Sequence, residues 1–212
     1  MKIAIIGASG KSGKHLTAEA LWKGHLVTAI VRDKNRIFES RVSVLERDIF
    51  AVTPADVVGF DAVIDAFKPP EGQEEQHVAS MEHLIRVFER QPAVRLMVVG
   101  GAGSLYTTPE RTERLMDGED FPAAFLPTAA SMAEAFEKLR ASKTKWTYLS
   151  PAAVYDPDGP RTGKYTLGDD VLLRNKAGES YVSYADYAVA MIDEAVNRNY
   201  VGRRFTVVSE QE

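Results

Sequence analysis

Short apolar runs alternate with longer amphipathic stretches along the whole chain. The runs are rich in Val, Ile and Leu and are bounded by Gly, Pro or charged residues, which is the pattern of buried strands. Each run is too short to cross a bilayer. The predicted strands are Ile3–Ile6, His25–Val31, Val42–Leu45, Asp61–Phe67, Val94–Gly100, Lys145–Leu149 and Arg204–Val208.

The stretches between these runs have helical periodicity. In the longest one, apolar side chains recur at the three- and four-residue spacing of a single helix face. Ser131 followed by Glu134 has the spacing of a capping box, which predicts that a helix begins at Ser131. The predicted helices are Lys14–Lys23, a brief one after Thr53, Gln73–Arg90, Ser131–Ala141 and Tyr184–Val196.

The regular alternation of strands and helices predicts an α/β fold. Strands that are joined through helices pair in parallel, and the crossovers between them are right-handed. We therefore expect a Rossmann-like, doubly wound, three-layer α/β/α arrangement with a mostly parallel sheet of about seven strands. Its length suits one domain, formed by residues 1–212.

Two segments lack periodicity. Residues 101–128 are rich in Gly, Pro, Thr and charge, and Pro157–Gly163 is predicted to be a further loop, of the kind that can act as a lid. Long loops in compact domains are usually functional or disordered, and open α/β sheets bind ligands beyond the carboxyl ends of their strands. We therefore expect loops within 101–128 and 151–183 to form a substrate site.

The strongest chemical signal is the glycine turn after the first strand. Gly7 lets the chain turn sharply, Gly10 has no side chain to hold a diphosphate away from the backbone, and Gly13 lets the following helix pack against the strand. The amino terminus of that helix then faces the anion. A phosphate-loop NTPase is excluded by spacing, because Lys14 is followed by His15. The pattern predicts a dinucleotide site.

The end of the second strand bears on which dinucleotide is bound. An acidic residue there would bind the ribose 2′-hydroxyl group, whereas an arginine accommodates a 2′-phosphate. Arg32 stands at this position, with Lys34 and Arg36 close behind, which favours NADP(H) over NAD(H). Asp33 lies one residue later, and a shift of one position in the strand would favour NAD(H).

Composition narrows the classes of function further. A net charge of -4 gives no electrostatic footprint for nucleic acid or for an anionic membrane. There are no cysteines, hence no disulfides and no Cys-ligated metal, and the four histidines lack metal-ligand spacing. The first strand follows Met1 immediately, so we expect no signal peptide and a cytoplasmic protein.

Several segments together resemble the atypical short-chain dehydrogenase/reductases. Within that superfamily the chain is most similar to the NADH-flavin reductase group, which has NmrA-like and biliverdin reductase B-like relatives. The resemblance covers nearly the whole chain. The segments that carry it are Ile5–Gly13, Ala29–Arg32, Val98–Tyr106, Trp146–Ala153, Arg161–Tyr165 and Ser183–Ala188.

The resemblance implies that NAD(P) binds along the carboxyl edge of the sheet. The glycine turn would hold the diphosphate, Arg32 the 2′-phosphate, and the ends of the third, fourth and sixth strands the adenine, ribose and nicotinamide. The implied cofactor residues are Gly7, Ser9, Gly10, Lys11, Ser12, Gly13, Arg32, Asp48, Ile49, Ala66, Phe67, Pro151, Ala152, Ala153 and Val154.

One departure from the superfamily limits the chemistry. Typical members use a Tyr-x-x-x-Lys pair as the general acid, and none of the eight tyrosines here is followed by lysine four residues later. Transfer of hydride to a flavin needs less, because its ring can take its proton from water. The resemblance therefore implies a reductase with a flavin or quinone-like acceptor, the flavin being a substrate rather than a bound prosthetic group.

The resemblance also implies the acceptor contacts, because Ser104 and Tyr106 follow the fifth strand, where this superfamily keeps its substrate-facing serine. Ser104 would hydrogen-bond the acceptor, and Tyr106 or Tyr155 would stack on it. The alternative function is a non-catalytic sensor that binds NAD(P) and changes its affinity for a partner, and the missing Tyr/Lys pair weakens an epimerase or dehydratase activity. We expect the protein to be a monomer or a homodimer.

Overall fold

All seven predicted strands form, and they lie in one sheet. The computed structural model describes residues 1–211. The strands are β1 Lys2–Ile6, β2 Leu26–Val31, β3 Ser43–Glu46, β4 Ala62–Asp65, β5 Arg95–Val99, β6 Trp146–Ser150, β7 Val154–Asp156, β8 Tyr165–Gly168, β9 Tyr181–Ser183 and β10 Arg203–Ser209. The seven predicted strands pair in parallel, and the main sheet has the order β3-β2-β1-β4-β5-β6-β10-β8.

The sequence prediction omits three strands. β8 adds an eighth, antiparallel strand at the edge of the main sheet, and β7 pairs with β9 in a separate two-stranded sheet. These strands have three or four residues each, and β7 and β8 are only partly buried. Edge strands of this kind are fixed by tertiary pairing rather than by an apolar run, so hydrophobic periodicity does not reveal them.

Three of the predicted helix starts are wrong. The first helix begins at Lys11 rather than Lys14, the third at Gln76 rather than Gln73, and the fourth at Leu126 rather than Ser131. Ser131 does not cap a helix: its hydroxyl group donates to the carbonyl oxygen of Glu74 at 2.5 Å. Pro127 lies in the first turn of that helix, where its missing N–H costs nothing. The helices are α1 Lys11–Trp22, α2 Pro54–Val57, α3 Gln76–Glu89, α4 Leu126–Ala141 and α5 Tyr184–Asn197.

The helices cover the two faces of the sheet in pairs. α1 and α5 enclose one apolar core, to which Leu16, Tyr187 and Phe205 contribute. α3 and α4 enclose a second core on the opposite face, built around Phe88 and Phe136. The result is the Rossmann-like α/β/α arrangement expected from the sequence, and the carboxyl ends of its parallel strands are left as the edge on which a ligand can bind.

None of the helices described within residues 1–211 has the length and apolar character needed to pass through a lipid bilayer.

Candidate functional site

Two of the three motif glycines are required by the packing of the chain itself. Gly7 has a positive φ of 75°, and a Cβ atom on it would come within 2.7 Å of the Ala66 carbonyl oxygen. A Cβ atom on Gly13 would lie 2.2 Å from the Gly7 carbonyl oxygen, closer than any real contact. Both positions therefore hold β1, β4 and α1 in close contact.

Gly10 differs from the other two glycines. Its φ of -75° and ψ of 173° are open to any residue, and a Cβ atom there would meet only the Gly7 carbonyl oxygen, at 3.2 Å. Gly10 is the N-cap of α1, which has no side-chain cap, and the first helical hydrogen bond runs from Lys14 N to the Gly10 carbonyl oxygen. The N–H groups of residues 11–13 have no acceptor within the helix, so together they form an open cradle that suits an anion.

The cradle opens into a cleft of about 520 Å³ along the carboxyl ends of β1, β2, β3 and β4. The cleft brings together eight of the predicted cofactor residues, whereas Lys11, Ser12, Gly13 and residues 151–154 lie outside its lining. The lining consists of Ile6, Gly7, Ser9, Gly10, Ile30, Val31, Arg32, Asp33, Arg36, Arg47, Asp48, Ile49, Ala66, Phe67 and Lys68.

Cations dominate the end of the cleft that lies beyond β2 and β3. Arg32 and Arg36 are exposed there. Both carboxylates of this region accept hydrogen bonds from local turns: Asp33 Oδ1 from Asn35 N at 3.0 Å, and Asp48 Oδ1 from Phe50 N at 2.9 Å. The turn contact of Asp33 uses Oδ1, and Oδ2 of this exposed carboxylate makes no hydrogen bond within the described chain.

A buried carboxyl group supports the wall opposite these cations. Asp65 ends β4, is 6% exposed, and accepts a hydrogen bond from Phe67 N at 3.0 Å through Oδ1. Burial raises the pKa of Asp65 to about 6. Asp65 therefore fixes the turn that carries Ala66 and Phe67 into the cleft. The sequence prediction did not include Asp65, although a carboxyl group at the end of an apolar strand is a usable signal.

The segment after β6 approaches the site from the other side of α1. Pro151 and Ala152 are buried, whereas Val154 is 56% exposed. Next along the chain, the Tyr155 hydroxyl group lies 3.3 Å from Ser12 Oγ, in the first turn of α1. One face of the Tyr155 ring stacks on Tyr184, with ring centroids 3.8 Å apart, and burial raises the pKa of Tyr155.

The loop predicted at residues 157–163 is anchored at its end. Arg161 makes two hydrogen bonds to the carboxylate of Glu19 on α1, at 2.8 and 2.9 Å. Asp186 on α5 accepts from Thr162 Oγ1 at 2.6 Å and from Gly163 N at 2.7 Å. These contacts tie the loop to both helices on that face of the sheet, so a lid motion would have to break them.

The structure does not bring Ser104 and Tyr106 to the cleft. They line a separate cavity of about 380 Å³ beside α4, which shares no lining residue with the cleft. The Ser104 hydroxyl and carbonyl oxygens accept hydrogen bonds from Arg204 Nη1 at 2.8 and 3.2 Å. Arg204 pairs with Tyr148, two residues before the end of β6, so this cavity lies against the face of the sheet rather than at its carboxyl edge.

Charged side chains that form ion pairs with one another line this cavity. Arg204 is 8% exposed, donates to Asp170 Oδ1 at 2.5 Å, and lies over the ring of Phe136 at 4.7 Å. Arg140, also in the lining, pairs with Glu137. The roles predicted for Ser104 and Tyr106 at the acceptor therefore stay predictions, and the Ser104 hydroxyl group would have to leave Arg204 to fulfil one.

Three relatives illustrate what the chain is similar to. It is 48% identical to the Bacillus subtilis protein YwnB over the full length of both. A Streptococcus pneumoniae protein, provisionally named an NADH-flavin reductase, has 39% identity and a TM-score of 0.93, with 99% of this chain and 100% of that one covered. A Bacteroides thetaiotaomicron protein, provisionally named an epimerase, has 34% identity and a TM-score of 0.88, with 99% and 98% covered.

The chain also matches a defined protein family over most of its length. Residues 7–197 match the family described as NAD(P)H-binding, beginning at the first glycine of the turn and ending at the last residue of α5. The matched range includes the cradle, the segment after β6 and every lining residue of the cleft except Ile6. With the open helix terminus and the cleft beside it, this match identifies the chain as a member of the NAD(P)H-binding family.

Proposed function

We propose that the protein is an NAD(P)H-dependent reductase that passes hydride to a flavin or quinone-like acceptor and prefers NADPH. The observation that carries this proposal is the open cradle of backbone N–H groups at α1, which leads into a cleft with cations at its far end. The S. pneumoniae relative supports a flavin as the acceptor.

A bound NAD(P)H would supply the hydride, and the work of the protein is to bind and orient it. The backbone around Gly10 would hold the diphosphate, since no side chain stands between the helix terminus and the ligand. Asp48 and Ile49 would hold the adenine, and Ala66 with Phe67 the ribose side. Pro151 to Val154 would flank the nicotinamide, with Lys11 and Ser12 at the helix terminus between them.

The preference for NADPH rests on charge at the end of β2. Arg32 lines the cleft, and the carboxylate of its neighbour Asp33 is engaged in the Asn35 turn. A guanidinium group binds phosphate oxygens in two-pronged geometry, whereas a ribose hydroxyl group offers it little. Arg32 would therefore discriminate the two cofactors through the 2′-phosphate.

The acceptor class follows from what the sequence lacks. Without a Tyr-x-x-x-Lys pair, a ketone or alcohol substrate would have no paired general acid. A flavin or quinone ring accepts hydride without that pair, and positioning of the two rings then becomes the main contribution of the protein. We place the acceptor among the loops of residues 101–128 and 151–183, with Ser104 and Tyr106 as the proposed contacts.

The test combines binding with turnover. Purified protein is titrated with NADPH and NADH, and oxidation of the reduced nicotinamide is then followed by absorbance after addition of FMN, FAD or a quinone. We expect acceptor-dependent oxidation, and we expect Arg32→Ala to weaken NADPH binding about 10-fold with NADH binding nearly unchanged. Arg90→Ala is the control, since Arg90 is exposed at the end of α3 and does not line the cleft.

Each alternative has its own outcome. Tight dinucleotide binding without turnover on any acceptor would contradict the reductase proposal and support the NAD(P)-binding sensor. Equal loss of NADPH and NADH binding in Arg32→Ala would contradict the assigned 2′-phosphate contact. Failure to bind either dinucleotide would overturn the whole proposal.

A further inference from the structure

An arginine that the sequence analysis did not include lies at the adenosine end of the cleft. Arg47 directly follows β3, and its backbone N–H donates to the Val31 carbonyl oxygen at 2.8 Å. Val31 is the last residue of β2, and Arg32 comes next. The backbone of Arg47 is therefore fixed beside the strand end from which Arg32 projects.

The guanidinium group of Arg47 is hydrogen-bonded through only one of its nitrogens. Its Nη2 atom donates to Asp56 Oδ1 at 3.3 Å, and 40% of the side chain is exposed. Asp56 has closer partners of its own in the backbone N–H and the hydroxyl group of Thr53, at 2.8 and 2.7 Å to Oδ2. The ion pair thus positions the Arg47 guanidinium group without using all of its donors.

The Nε–H group of Arg47 is buried, and it has no acceptor anywhere in residues 1–211. A buried donor without a partner is destabilising, so such groups are rare unless a ligand or water supplies an acceptor. Because Arg47 lines the cleft, as Arg36 and Asp48 do, a ligand in this cleft is the natural source of that acceptor.

We propose that Arg47 is a second determinant of cofactor specificity, which donates through its guanidinium group to the 2′-phosphate of NADPH. This inference rests on the proposed NADPH-dependent function. Arg32 and Arg36 are exposed side chains without a recorded ion pair in the described chain, whereas Asp56 holds Arg47 in place before the ligand arrives. A positioned guanidinium group loses less conformational freedom on binding, so its contribution to affinity is larger.

The test uses calorimetric titration with NADPH, NADH and adenosine 2′-monophosphate, and it does not depend on turnover. We expect Arg47→Ala to weaken NADPH and adenosine 2′-monophosphate about 10- to 100-fold, with NADH changed less than about 2-fold. Arg47→Lys retains the charge but lacks Nε–H, so an intermediate loss is expected. Arg41→Ala is the matched control, because Arg41 is exposed, pairs with Glu39 and does not line the cleft.

The outcomes separate this inference from the proposed function. Equal weakening of NADPH and NADH would overturn it, because Arg47 would then contact a part common to both dinucleotides. No change in Arg47→Ala, together with a preference for NADPH in the native protein, would overturn it and leave that preference to Arg32. No preference in the native protein would overturn both. Arg47→Lys and thermal unfolding of each variant show whether a loss of binding comes from a loss of folding.

Discussion

The cleft at the carboxyl edge and the cavity beside α4 are both lined by polar groups. They differ in whether their hydrogen-bond donors already have acceptors within the protein. At the cleft, the N–H groups of residues 11–13 have no side-chain cap, and the Nε–H of Arg47 has no acceptor within the described chain. In the cavity, Arg204 is bonded to Ser104 and Asp170 and covers Phe136. Free donors indicate a place prepared for a ligand, whereas satisfied donors indicate a contact that holds the chain together.

The largest expected effect is a loss of dinucleotide binding when the free N–H groups at the start of α1 are blocked. Gly10→Leu should abolish measurable dinucleotide binding, a loss of at least about 100-fold, because the new side chain stands where the cradle is open. The stability should change by less than about 1 kcal/mol, since the backbone conformation at Gly10 suits any residue. Calorimetry with NADPH and urea unfolding measure the two effects separately.

Gly118→Leu is the control for that substitution. Gly118 also has an ordinary negative φ, of -73°, and a Cβ atom on it would make only a normal contact at 3.5 Å. It lies outside the cleft. Retention of NADPH affinity in Gly10→Leu would show that the open cradle is not the diphosphate site.

The next largest effect is a loss of stability when Arg204, whose donors already have acceptors in the cavity beside α4, is replaced. Arg204→Met should lower the free energy of unfolding by about 2–4 kcal/mol, because it removes the guanidinium group bonded to Ser104 and Asp170 while keeping most of the side-chain volume, and Asp170 retains only the longer ion pair with Arg111 at 3.7 Å. Affinity for NADPH should stay within about 2-fold of the native value, since Arg204 does not line the cleft. Urea unfolding and calorimetry give both quantities.

Ser104→Ala sharpens the same comparison at a smaller scale. It removes one acceptor from Arg204, so we expect a loss of about 1 kcal/mol in stability, and it removes the proposed contact to the hydride acceptor, so we expect a raised KM for that acceptor. An unchanged KM together with the loss of stability would contradict the proposed contact and leave Ser104 with a structural role.

The last effect is a pH dependence of stability, and it concerns the carboxyl group behind the cleft wall. Burial raises the pKa of Asp65 to about 6, so the native state favours the protonated form. Stability should therefore fall as the pH rises from about 4 to about 6 and then level off, with a total change of at most ~3 kcal/mol. Asp65→Asn retains an acceptor for Phe67 N and should remove that fall, which makes the variant more stable than the native protein above pH of about 6.

Urea unfolding over a pH series measures the effect of Asp65→Asn. Asp120→Asn, in an exposed loop, is the control and should follow the native curve. Parallel curves for the native protein and Asp65→Asn would mean that Asp65 has the same pKa in the folded and the unfolded state, and would refute the assigned cause.

The predictable parts of the molecule are those with a local signature. Every parallel strand except the largely exposed β3 buries most of its side chains and is visible as an apolar run, and the glycine turn follows β1 directly. Arg204 lies 100 residues from Ser104, and no local pattern reports their contact. Arg47 was missed for a related reason, because only the pairing of β3 with β2 places it beside Arg32. Both contacts depend on which distant segments pack together, and a local sequence pattern does not report that.

The glycine turn also bears on how relatives of this protein should be interpreted. Gly7 and Gly13 are required by contacts within the chain, so selection for folding alone would preserve them. Gly10 has no such constraint and is needed only where a ligand approaches the helix. A homologue that keeps the outer two glycines but replaces the middle one is therefore expected to retain the fold and to have lost the cofactor, which makes this single position a marker for degenerate members of the lineage.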